Sequence, residues 1–260
     1  MTAKCEAVAV DFQGKVALVT GGGGGIGSAT AAHLAANGAV VVVNDVDQAR
    51  IDAVVGLIHQ AGGQAAAGKA DITDEAAVAG LVGRIVDEHG AVDILVNNAG
   101  GAMPGAQWAA VESTSLADWE SFIRLNLTAA FLCSRAVIPG MVAKGRGHIV
   151  SVGSISGTNG QRGGAGYAAA KAGLGALVAS LAKEVGAQGV SVNGIVVGNA
   201  PFPTRSAERQ GELDRAVHLA RGGRTDEFAA AIAFLCSEDS SYMSGAMIPV
   251  DGGFHRSVLL

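Results

Sequence analysis

Short apolar runs alternate along this chain with longer segments in which apolar positions recur every three or four residues. Strand-length runs begin near Val16, Ala39, Gln64, Val92, His148, Val190 and Ala246. Helical patterns cover 28–37, 48–61 and 74–89, and a longer one runs from Leu116 to Ala143 with Pro139 inside it. Val40-Val41-Val42-Val43 is apolar at every position, so both faces of that strand must be covered, as in a parallel sheet packed between helices. Right-handed crossovers then build a single doubly wound α/β domain over residues 1–260, with helices on both faces of the sheet. The ligand crevice of such a sheet lies at the strands' carboxyl ends. Gly21, Asp45, Asp71, Asn98 and Ser154 all fall at or just beyond those ends.

Composition narrows the class. With 49% hydrophobic residues, 39 glycines and 16% charged residues, the chain suits close helix-on-sheet packing and is not a disordered one. A formal charge of −5 supplies no footprint for nucleic acid or for an anionic membrane. The N-terminal segment carries Lys4, Glu6 and Asp11 in place of an apolar signal core, so a cytoplasmic location is expected. Cys5, Cys133 and Cys236 are odd in number and lack metal-ligand spacing, and the six histidines form no cluster, so neither a disulfide frame nor a metal site is expected.

Two local patterns carry chemistry. The apolar run Val16–Thr20 is followed at once by Gly21-Gly-Gly-Gly-Gly25-Ile26-Gly27 and then by a helical stretch. Strand, glycine turn and helix N-terminus together make a cradle for a pyrophosphate, because backbone N–H groups and the helix dipole converge there. Asp45, eighteen residues after Gly27, is placed to accept hydrogen bonds from an adenine ribose, with Asp47 as a rival; either could instead begin a helix. The second pattern is Tyr167-Ala-Ala-Ala-Lys171, one helical turn, with Ser154 thirteen residues earlier. A phenol with its ordinary pKa of about 10 is a poor acid or base at neutral pH, and a neighbouring ammonium stabilises its phenolate. The trio reads as proton donor, electrostatic tuner and anchor for a carbonyl oxygen.

With Thr20-Gly21-x-x-x-Gly25-x-Gly27, Ala70-Asp71-Ile72, Asn97-Asn98-Ala99-Gly100, Asn126, Ser154, Tyr167 and Lys171 in this order, and Arg221-Gly-Gly223 and Val250-Asp-Gly-Gly253 near the end, the chain resembles the classical short-chain dehydrogenase/reductase family almost from end to end. The resemblance implies a Rossmann-like fold. It also implies an NAD(P)-dependent oxidoreductase that interconverts a secondary alcohol and a ketone. Ser154, Tyr167, Lys171 and Asn126 would form its catalytic set. Gly21, Gly25, Ile26, Gly27, Asp45, Asp71, Ile72, Asn98, Ala99, Gly100, Tyr167 and Lys171 would hold the dinucleotide. In that picture Asp71 and Ile72 flank the adenine, and Asn126 kinks its helix and holds a water that links Lys171 to solvent.

Several finer expectations follow. The acidic Asp45, and the absence of a basic residue before Gly25 where NADP-using relatives often carry one, favour NAD(H) over NADP(H). Relatives usually place proline-glycine where this chain has Val197-Gly198, and Thr204 sits late, so the nicotinamide-side contacts of that segment should differ. Substrate-covering segments are expected at 155–166 and about 199–220. The second carries an apolar stripe, Leu213, Val217 and Ala220, and the arginines 205, 209, 215 and 221, which could face a phosphate-bearing carrier or solvent. The substrate is thus a 3-oxoacyl thioester on CoA or acyl-carrier protein, or a cyclic or aliphatic ketone. Ala172, Gly175, Ala176 and Ala179 on the helix after Tyr167 suit close helix contact in a homo-oligomer, a tetramer or a dimer. The alternative from another class is a non-catalytic dinucleotide sensor or scaffold.

Overall fold

The computed structural model describes residues 10–200 and 206–254. Seven strands, β1 (Val16–Val19), β2 (Val40–Val43), β3 (Gln64–Ala67), β4 (Ile94–Asn97), β5 (Gly147–Ser154), β6 (Val190–Val197) and β7 (Met247–Val250), form one sheet in the order β3-β2-β1-β4-β5-β6-β7. Every pairing is parallel. The order reverses between β1 and β4, which opens a crevice at their carboxyl ends.

The helices follow as α1 (Gly25–Ala36), α2 (Gln48–Gln60), α3 (Glu75–His89), α4 (Leu116–Ile123), α5 (Ala129–Lys144), the short α6 (Ser156–Asn159), α7 (Ala165–Val185), α8 (Ala207–Ala216) and α9 (Thr225–Leu235). Alternate strand residues feed two separate cores, one on each face of the sheet. Ala17, Val19, Val41, Val43, Val96 and Ile195 pack with Leu34 of α1, Ile51 of α2 and Phe228 of α9. Leu18, Val42, Leu95 and Ile149 pack with Leu81 of α3, Met141 of α5 and Val178 of α7. Two helical stretches, 116–144 and 165–188, are long and apolar enough to cross a bilayer by length and composition, yet α5 and α7 bury apolar side chains against the sheet.

Polar side chains tie the strand ends. The Val16 N–H donates to Asp93 Oδ2 at 3.0 Å, and Lys144 Nζ reaches Asp93 Oδ1 at 2.9 Å. Asn44 Nδ2 donates to the carbonyls of Gly68 (2.8 Å) and Ala70 (3.1 Å). Asn193 donates to the Met243 carbonyl at 2.7 Å and accepts from the Ala246 N–H at 3.1 Å.

Two expectations are corrected. The single helix expected over 116–143 is interrupted by a π-turn at Arg124–Thr128, where Asn126 Nδ2 donates to the Phe122 carbonyl at 3.0 Å; α5 then runs on through Pro139. The stripe Leu213, Val217 and Ala220 does not share a helix face. Helix α8 stops at Ala216, Val217 is extended, and Ala220 has a left-handed φ of 52°.

Candidate active site

The glycine turn is built by hydrogen bonds across the crevice. Thr20, fully buried at the end of β1, donates its hydroxyl to the Val96 carbonyl and accepts from the N–H groups of Asn98 (3.0 Å) and Ala99 (3.2 Å). Asn98 Nδ2 donates in return to the Thr20 (2.9 Å) and Gly21 (3.1 Å) carbonyls. The fit requires glycine at 27: a Cβ there would stand 2.2 Å from the Gly21 carbonyl oxygen and 2.4 Å from Asn98 Nδ2. Gly24 and Gly25 differ, since a Cβ on either meets nothing within 4 Å. Gly24 is the N-cap of α1 and supplies no side-chain cap, so the first-turn N–H groups are left without a side-chain acceptor, as an anion-binding helix start needs.

The two aspartates differ in local geometry. Asp47 caps α2, with Oδ1 accepting from Ala49 N (2.9 Å) and Arg50 N (3.4 Å), and it pairs with the Arg50 side chain at 3.4 Å. Asp45 leans over the glycine loop, its Oδ2 lying 2.7 Å from where a Gly23 Cβ would stand. Farther along, Asp71 Oδ1 accepts from the Thr73 N–H (2.9 Å) and hydroxyl (2.8 Å), while the Ile72 side chain is buried in the core on the α3 side.

At the ends of β4 and β5 the remaining expected residues converge. Asn126 clamps one residue from both sides: its Oδ1 accepts from Gly101 N (2.9 Å) and its Nδ2 donates to Gly101 O (2.8 Å). A Cβ on Gly100 would come within 2.8 Å of Asn126 Oδ1 and 3.0 Å of Lys171 Nζ, so the Asn97–Gly100 turn lies directly on the lysine. Lys171 is buried, donates to the Val152 carbonyl at 2.8 Å, and holds Nζ 5.8 Å from the Tyr167 ring centroid. Burial depresses its pKa to about 8. Burial also raises the Tyr167 phenol above its ordinary value, and a hydrogen bond with Ser154 pulls the other way. The expected lowering of the phenol is therefore reversed in the protein alone, because desolvation outweighs the Ser154 hydrogen bond.

Three contributors lie outside the expected set. Thr20 closes an apolar run at the mouth of the glycine turn, which was a usable signal. Gly101 is the residue that Asn126 grips. Trp108 lies with its ring centroid 5.4 Å from Tyr167, edge-on, and 4.8 Å from Phe122; it sits in an aperiodic loop, and nothing nearby in sequence announces it. Val197, where relatives carry proline, continues β6: it is in register with Ser154 and Val250, and its carbonyl accepts from Ile155 N. Of the loop arginines, Arg209 pairs with Glu212 and Arg221 with Glu227, each at 2.6 Å. Thr204, Arg205 and Cys5 lie outside the described residues. Cys133 and Cys236 are buried, and burial pushes the Cys133 thiol up to about 12. Among the described residues no group of three or more His, Cys, Asp or Glu could hold a metal ion.

Known proteins share this arrangement of chain and fold. A family model described as Enoyl-(Acyl carrier protein) reductase matches residues 21–255. The chain is 39% identical over 246 residues to cis-4-hydroxycyclohexanecarboxylate dehydrogenase of Sinomonas cyclohexanicum, covering 94% of this chain and 97% of that protein. To 3-oxoacyl-[acyl-carrier-protein] reductase FabG of Escherichia coli (strain K12) it is 36% identical over 250 residues, covering 95% and 99%. The solved structure of 7α-hydroxysteroid dehydrogenase complexed with NADH and 7-oxo glycochenodeoxycholic acid matches with a TM-score of 0.88 at 34% identity, covering 94% of this chain and 95% of that one.

Proposed function

The chain belongs to the classical short-chain dehydrogenase/reductase family, and from that premise we propose that this oxidoreductase interconverts a secondary alcohol and a ketone with NAD(H), using Tyr167 as its acid and base. The observation that carries the reading is the convergence of Ser154, Tyr167 and buried Lys171 beside a helix start left open at Gly24 and Gly25. When bound, the dinucleotide supplies or accepts the hydride.

The protein's own part is positioning and proton transfer. Gly21 to Gly27 and the α1 N-terminus take the pyrophosphate, and Asp45 accepts from the adenine-ribose hydroxyls. A phenol raised by burial is neutral at pH 7 and so is poised to donate its proton to a carbonyl oxygen; in the oxidising direction it must first lose that proton. Ser154 orients the same oxygen. Lys171 holds the nicotinamide-ribose hydroxyls, and its charge opposes the desolvation of the phenolate as that charge forms. Asn126 acts through Gly101 by fixing the turn that lies on Lys171.

NAD(H) is favoured because a 2′-phosphate would meet the Asp45 carboxylate, while Arg50, whose Cβ also lies beside Gly23, is paired with Asp47. The substrate classes that fit the relatives' names are a 3-oxoacyl thioester and a ring alcohol or ketone. We extend the reading to a cytoplasmic homo-oligomer, a tetramer or a dimer joined through the small-residue side of α7; a monomeric mass by light scattering removes that part. The test of function is dinucleotide oxidation by purified protein, NADH against NADPH, over 3-oxoacyl thioesters, cyclic ketones and steroids. Turnover with NADH is expected. Tight NADH binding with no turnover on any member would transfer the assignment to a dinucleotide sensor.

A further inference from the structure

Tyr167 stands where a helix is ordinarily loose. It is the third residue of α7, in a first turn that follows Gly160, Gly163 and Gly164, and its N-cap, Gly164, makes no side-chain cap. The opening N–H groups of such a turn lack partners within the helix, and the glycines before it gain more freedom than other residues when it frays. Proton transfer needs the opposite, because misplacing a reacting group by about 1 Å costs about 10²-fold in rate.

Trp108 supplies the hold. Its ring packs edge-on against Tyr167, with centroids 5.4 Å apart, and against the buried Phe122 at 4.8 Å. It also lies on the cap position of α7, since a Cβ on Gly164 would be 2.7 Å from Trp108 Cζ3. The backbone that presents the indole is tied on both sides. The Gln107 N–H donates to Asp118 Oδ1 at 3.0 Å, and the Ala109 carbonyl accepts from the Thr114 hydroxyl at 3.2 Å. Hydrogen bonds from the Ser115 hydroxyl and the Gln107 N–H hold the Asp118 carboxyl below its ordinary value, so it stays ionised. Asp118 lies one turn before Phe122 on α4, so one helix provides both the tether of the loop and the floor beneath the ring.

We propose that Trp108 is a positioning residue: wedged between Phe122 and the start of α7, it stands in for the missing helix cap, fixes the Tyr167 ring and keeps water from the phenol. The inference rests on the reading of Tyr167 as the proton donor. Removing the indole loosens the first turn of α7 and also lets water reach the phenol, which then ionises more readily.

Both effects can be measured without turnover. The chain has two tyrosines and the other, Tyr242, is exposed, so Tyr242→Phe leaves Tyr167 as the phenol that titrates. In that background the tyrosinate absorbance of the ligand-free protein is followed against pH. Lys171, over the ring and depressed to about 8, is neutral before the phenol titrates, and Asp118 is ionised throughout. Trp108→Leu should lower the midpoint by about one pH unit as desolvation is relieved, and Trp108→Phe should restore most of it. Hydrogen exchange of the Ala168 N–H, which donates to the Gly164 carbonyl at 2.9 Å, should quicken about tenfold in Trp108→Leu. With NADH, the single-turnover rate of that variant at saturating ketone should fall about tenfold on cyclohexanone and on acetoacetyl-CoA alike. An unchanged midpoint or unchanged exchange at Ala168 would overturn the proposal even with full turnover. A loss confined to KM for one of the two ketones would make the indole a substrate contact and would overturn it too. Absence of wild-type turnover on every ketone, with midpoint and exchange shifted as expected in Trp108→Leu, would instead sink the reading of Tyr167 as proton donor and leave the brace standing.

Discussion

The two walls of the crevice are made differently. On the dinucleotide side, Thr20, Asn98 and Asn126 each spend their side chains on the backbone of another segment, so the turn at 21–27 and the turn at 97–101 hold each other before any ligand arrives. On the other side, Trp108 in 101–110 meets Tyr167 and Phe122 by ring contacts alone, 155–164 is tied within itself by Ser156 and Gln161, and 206–223 carries the surface ion pairs of Arg209 and Arg221. The contrast teaches that one wall is preorganised for a ligand of fixed shape, and the other is left to be shaped by whatever ring or chain the enzyme takes.

The comparison can be tested at sites of decreasing effect. Where the walls meet, Tyr167→Phe should lower the single-turnover hydride-transfer rate about 10³-fold; a loss under tenfold would remove the phenol from proton transfer. Next comes the buried lysine. Its folded pKa of about 8 lies below its ordinary 10.5, so the folded protein disfavours the charged form. That penalty is full below pH 8 and fades as pH rises to 10.5, over which range the unfolded chain binds more protons. Relative to Lys171→Met, the ligand-free wild type should therefore gain about 3 kcal/mol between pH 7 and pH 10.5 in urea melts. A parallel pair of curves would refute the shift.

Smaller effects separate the two walls directly. Asn98→Ala leaves the Thr20 and Gly21 carbonyls without their donor and should cost about 2 kcal/mol, whereas Gln161→Ala on the substrate wall should stay within about 0.5 kcal/mol by the same melts. Equal costs would erase the distinction between the walls. Asp45→Ser should shift the kcat/KM ratio of NADPH to NADH about tenfold toward NADPH, one unit of lost charge repulsion; an unmoved ratio would take Asp45 away from the ribose.

Much of this was legible in the sequence because the strands are short, apolar runs ending in polar residues. All seven strands and the crevice at their carboxyl ends could be read from that pattern, with starts displaced by up to two residues, at β4. The apolar pattern alone runs through the 116–144 helix, and only the family resemblance implied a kink at Asn126, since the break depends on Asn126 reaching the Phe122 carbonyl and a loop 25 residues earlier. That Asp47 and not Asp45 caps α2 turned on where that helix begins, a matter of two residues. Trp108 was out of reach because its meaning is purely tertiary: it becomes a wall only when α7 delivers Tyr167 and Gly164 beneath it. The sign of the Tyr167 shift was missed for a related reason, as spacing supplies the neighbouring charge but not the depth at which both groups lie.

The strands that make the sheet so easy to recognise pose a problem of alignment. A run such as Val40–Val43 is apolar on both sides, so sliding it by one position exchanges one valine for another and hydrophobicity alone cannot choose the correct pairing. What can choose is the polar residue at each end: Asn44 meets carbonyls of the next segment, Asp93 meets Val16, and Thr20 meets Val96 at one offset only. Asn44 and Thr20, at the crevice, therefore index the sheet as Asp93 does at its opposite end, and a substitution made at either of them should also show itself as misaligned strands and slower, less faithful refolding.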